Sequence, residues 1–101
     1  MGLDITIHRK DSRYAEDFYY NGCNRYRQIK DLMVEKYNYK QNEDLLLTDK
    51  MIKDLLTVVH NRIIELSNES TDIVLYGQLY NDLVFVFDNM YEEDWYFEAT
   101  W

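Results

Sequence analysis

From Ile52 onward, Leu55, Leu56, Val59, Ile63 and Leu66 fall at spacings of three and four, which aligns them along one side of a helix. The start of that helix is marked by Thr48, an N-cap residue, and by Asp49, whose charge suits a helix N-terminus. Leu47 and Ile52 occupy the N′ and N4 positions of a hydrophobic staple. Ser67, Asn68, Glu69 and Ser70 end the pattern, so a helix over 48–67 is expected. A helix with one apolar stripe must bury it against a second layer, and the rest of the chain has to supply that layer.

Two short segments are suited to do so. Leu3, Ile5 and Ile7 alternate with Asp4, Thr6 and His8, which predicts a strand over 3–8 with one buried and one wet face. Trp95, Phe97 and Ala99 alternate with Tyr96, Glu98 and Thr100, predicting a last strand over 95–100 that can lie beside the first. Tyr26, Ile29, Met33 and Tyr37 point to another helix, about 24–38, with Asn21 or Asn24 as its cap. The segment from Ile73 to Asp88 is ambiguous. Tyr76, Tyr80, Leu83 and Phe87 fit a helix, whereas the valines and aromatics favour strands and Gly77 weakens a helix interior. The expectation is a hairpin, 73–80 and 83–88 turning at Asn81-Asp82, with a third helix over 72–91 as the alternative. The fold class is therefore α+β: a small, mostly antiparallel sheet packed by two helices.

A chain of 101 residues can bury one modest core, and 47% apolar against 30% charged residues separates it from disordered chains. A single domain over 1–101 follows, since no linker, repeat or low-complexity tract divides it. The longest wholly apolar run, Leu83 to Phe87, is too short to cross a bilayer, and the N-terminus does not read as a secretory signal. Cys23 is the sole cysteine, so no internal disulfide forms, and the expected location is the cytoplasm.

Charge divides the chain unevenly. Residues 1–40 hold eight Lys/Arg against six Asp/Glu; residues 41–101 hold three against thirteen, so the net of -8 is a +2 and a -10. After Arg62 no basic residue occurs, while nine carboxylates and nine aromatics follow. Ordinary solubility is one use for such charge. The other is an acidic surface that steers into a basic groove, with aromatic side chains as the desolvated anchors. The residues nominated for that surface are Asp82, Asp88, Glu92, Glu93, Asp94 and Glu98, with Tyr91, Trp95 and Tyr96 as anchors.

Other chemistry finds little purchase. Asp88 and Glu92 to Asp94 offer oxygen ligands, but not at EF-hand spacing, and His8 and His60 have no ligand-spaced partners. No glycine-rich phosphate loop, GxSxG or HExxH occurs, so neither an enzyme nor a cofactor is expected. Arg9, Lys10, Arg13, Arg25, Arg27 and Lys30, interleaved with Tyr14, Tyr20 and Tyr26, raise a nucleic-acid-binding module as the alternative function, against the acidic overall balance.

The opening Met1-Gly2-Leu3-Asp4-Ile5-Thr6, followed by a tyrosine-rich stretch and a helix, resembles small bacteriophage and prophage proteins that begin MGLDI or MGLDM. The resemblance covers the first third of the chain; the Trp-Arg-Lys-Ala-Asn associated with those proteins is replaced by Tyr20-Asn21-Gly22-Cys23-Asn24. In size, acidity and lack of catalytic motifs the chain is also similar in type to phage anti-CRISPR and other anti-defence inhibitors. That similarity implies a partner: a basic host protein such as a Cas nuclease or another nucleic-acid-binding protein, met through its nucleic-acid surface.

Overall fold

The computed structural model describes residues 2–9, 18–22, 25–66 and 70–101. Along the chain it builds β1 (Asp4–Arg9), β2 (Phe18–Asn21), α1 (Arg27–Tyr37), β3 (Leu45–Leu46), α2 (Asp49–Glu65), α3 (Asp72–Asn89) and β4 (Trp95–Thr100). The four strands form one antiparallel sheet in the order β2-β1-β4-β3. β1 and β4 are thus the central pair, with Ile5 opposite Ala99 and Ile7 opposite Phe97. These four side chains, with Tyr20 and Trp95, face a core completed by Met33, Ile52, Leu55, Val59, Tyr76, Leu79, Leu83 and Val86 of the helices. The fold is α+β, and among the described residues no helix is long and apolar enough to cross a membrane.

The long amphipathic helix forms as its start signal dictates. The Thr48 hydroxyl accepts a hydrogen bond from the Met51 N–H at 3.3 Å, and Leu47 and Ile52 are both buried beside it. Its predicted end falls on 67–69, outside the described residues. Helix α1 begins later than predicted, at Arg27, behind Tyr26 rather than an asparagine cap, and Asn24 lies outside the described residues. Asn38, at φ 55°, ends it in the left-handed region that asparagine tolerates better than most residues.

The hairpin expected over 73–80 and 83–88 is not formed; 72–89 is one helix. Tyr76, Leu79, Leu83 and Val86 make a single buried stripe along it. Burial of such side chains is worth about 1.5–3 kcal/mol each, several times the few tenths by which valine lags in helix propensity. Gly77 lies off that stripe, in open space, so its cost is one of propensity and not of packing. Asn81 and Asp82, read as a turn, are mid-helix. The Asp72 N–H at the helix start is met by the Ser70 hydroxyl at 3.2 Å.

Two strands were not foreseen. β2 lies at the end of the polar stretch after β1, and β3 is only two residues long. Past β3, tyrosine takes over the role of a strand partner. The Tyr39 hydroxyl accepts from the Ala99 N–H at 2.7 Å and donates to the Glu43 carbonyl at 2.6 Å, satisfying backbone that the edge strand leaves unpaired.

Candidate interaction surface

The C-terminal end of α3 carries the densest group of nominated residues. Asn89 closes the helix: its carbonyl accepts from the Glu92 and Glu93 N–H groups at 3.2 and 3.1 Å, and its side-chain amide donates to the Phe85 carbonyl at 2.8 Å. This winds residues 90–94 into a tight turn directly on the helix end. Asp88, Tyr91, Glu92, Glu93 and Asp94 are all exposed there, Tyr91 to 85%. Glu93 faces the Arg9 guanidinium at 3.4 Å. Asp88, Glu92 and Asp94 have no ion-pair partner among the described residues.

Electrostatics makes this placement costly. The last turn of α3 contains no basic residue. Carbonyls at a helix C-terminus carry about half a negative charge, so carboxylates gathered there are repelled by the helix as well as by one another. Fold stability alone would favour lysine or arginine at these positions.

The other nominated residues are placed differently. Asp82 points inward and accepts the Tyr20 hydroxyl at 2.6 Å; burial and that carboxylate push the Tyr20 phenol well above its ordinary range. Trp95 is 2% exposed, stacked on Phe18 at 5.9 Å with Phe85 against its edge. It is therefore a core side chain and not an accessible anchor, as its alternation with Phe97 and Ala99 requires. Tyr96 and Glu98 lie on the face of the sheet opposite the helices. There Tyr96 stacks against the His8 ring at 5.8 Å, and His8 Nε2 is 3.1 Å from Asp44 Oδ1. Partial burial and a hydrogen bond to Asp44 raise the Glu98 carboxyl above its ordinary value, with His8 acting in the opposite direction. Tyr19 and Leu46 are exposed on the same face, Tyr19 donating to Asp4 at 2.8 Å. This is a second aromatic and acidic surface, separate from the α3 end. No group of acidic, histidine or cysteine side chains arranged to hold a metal occurs among the described residues.

Among the described residues, much of the basic and aromatic alternative is engaged within the fold. Arg25 donates to Asp72 at 2.9 Å, and the Lys30 ammonium sits 3.1 Å from Asp31 and 5.0 Å above the Trp101 ring. Tyr20 and Tyr26 are buried. Lys10, Arg13 and Tyr14 lie outside the described residues.

Sequence reasoning did not see that α2 begins where α3 ends. Asp49, Phe87, Asp88, Met90 and Tyr91 line one open groove there. Nothing in the spacing of Asp49 and Tyr91 signals it, because only the antiparallel packing of α2 on α3 brings them together. No family model, curated protein or solved structure matches the chain.

Proposed function

We propose that this chain is a non-enzymatic inhibitor of phage or mobile-element origin, acting in the host cytoplasm by binding the basic nucleic-acid surface of a defence nuclease such as a Cas effector. The observation that carries the reading is the turn after α3, where Asp88, Glu92 and Asp94 stand exposed on a helix end that repels them. Departures from a fold's own electrostatic preference concentrate at working surfaces. A basic groove would relieve that repulsion on binding, so the carboxylates are worth more to the complex than to the free protein. Tyr91 adds an exposed aromatic beside them. The Tyr96, His8 and Glu98 face offers a second contact of the same polarity.

The test is a pull-down from bacterial lysate in which the captured proteins are challenged with DNA and RNA. The reading expects a nuclease that is displaced by its own nucleic acid and whose capture weakens with salt. Recovery of no nucleic-acid-binding protein would overturn it. A gel shift with the isolated chain that disappears on replacing Arg25, Arg27 and Lys30 would instead establish direct nucleic-acid binding.

A further inference from the structure

We infer that the groove between the start of α2 and the end of α3 is a receptor for a single cationic side chain, an arginine or lysine, presented by the basic partner. The inference rests on the reading above for the partner but on its own geometry for the site. Phe87, Met90 and Tyr91 supply the apolar part of its lining, and Asp49 and Asp88 supply two carboxylates. Such a lining suits a cation on an alkyl stem: the stem packs on the thioether and rings, and the charge meets ring faces and a carboxylate. The end of α3, with no basic residue in its last turn, adds negative potential from behind.

The chain itself displays the chemistry in miniature. The Lys53 ammonium reaches up from α2 to lie 5.9 Å over the Phe87 ring and 3.4 Å from Asp49. One face of the groove thus already holds an amine. Asp88 and Tyr91 have no such occupant among the described residues, and Tyr91 is the most exposed of the large hydrophobic side chains. A neutral group would gain from the apolar lining alone, and an anionic one would in addition be repelled by the carboxylates.

The experiment is an amide-resolved NMR titration of the whole chain with N-acetyl-arginine amide and, separately, with its uncharged isostere N-acetyl-citrulline amide. Arginine should shift the amides of 87–91 and saturate with a Kd on the order of 1 mM, as befits one isolated side chain, and citrulline should bind at least tenfold more weakly. Tyr91→Ala and Asp88→Asn, both at exposed positions, should each weaken arginine binding severalfold while leaving the rest of the spectrum intact. Lys53→Gln should tighten it by uncovering Phe87, whereas Lys50→Gln, the same charge change without the ring contact, should not. Equal binding of arginine and citrulline, or no localised shift with arginine, would overturn the inference. If arginine binds here and no nuclease is ever captured, the groove stands and the proposed partner falls; the reverse pair of results removes the groove alone.

Discussion

Gly77→Ala should stabilise the protein by about 1 kcal/mol. Position 77 is inside α3, and a Cβ built there meets nothing within 4 Å, so alanine brings neither overpacking nor a new contact. What remains is helix propensity, about 0.8–1.0 kcal/mol in alanine's favour, much of it from the smaller freedom of the unfolded chain. For a domain of this size that is a rise in Tm of roughly 4–8 °C. Urea unfolding followed by circular dichroism measures it: the midpoint should rise with the slope unchanged, because the surface exposed on unfolding is the same. Gly77→Val sharpens the test. In a helix the order is alanine above valine above glycine, whereas in a strand valine leads. A valine variant more stable than the alanine variant, or an alanine variant no more stable than the parent, would refute the helical account of 72–89.

Three further outcomes are expected. Replacing Asp88, Glu92 and Asp94 by Asn, Gln and Asn should raise stability slightly at low salt and not at high salt, while slowing association with a basic partner; a salt-independent effect on either would contradict the helix-end argument. Glu98→Gln should stabilise at neutral pH: the folded carboxyl titrates above its ordinary 4.5, so its stabilising contribution is complete below that value and lost as pH rises through the folded pKa. Unfolding curves of parent and variant should converge toward acid pH. The Tyr37 phenol, which donates to Asp54, is pushed up to about 12 from 10.0, and Tyr20 is raised in the same direction by burial. Stability is therefore fully held below pH 10 and lost as pH rises through the folded values, and Tyr20→Phe with Tyr37→Phe should make that alkaline slope shallower in a pH-unfolding series, the remainder belonging to Tyr26, Tyr39 and Tyr76, whose phenols burial also raises.

What the residues disclosed and what they withheld follow from the range of the interactions. The cap and staple of α2 involve neighbours within a few positions, and the alternation of β1 and β4 is local, so each was legible. The 72–89 segment was not, because its propensity and its periodicity disagree and the decision belongs to what Tyr76, Leu79, Leu83 and Val86 pack against. The same division holds at the surface. The absence of basic residues after Arg62 can be counted, and the residues at 91–94 that it singles out are exposed. That Asp82 turns inward to Tyr20, that Trp95 is core, and that Asp49 comes to rest by Tyr91 depend on pairings across the fold.

The central ladder joins the earliest described strand to the last. Ile5 and Ile7 find Ala99 and Phe97 only after all three helices have been made, and each ladder contact closes nearly the whole chain as a loop. On a ribosome the growing chain therefore passes through a long interval in which α2 and α3 can pair but β1 has only the four-residue β2 beside it. Folding should then end in one late, cooperative docking step rather than in stages, slow for a domain so small. A chain halted before Trp95 would lack the middle of its sheet rather than an edge, and would leave Ile5 and Ile7 open to chaperones and proteases.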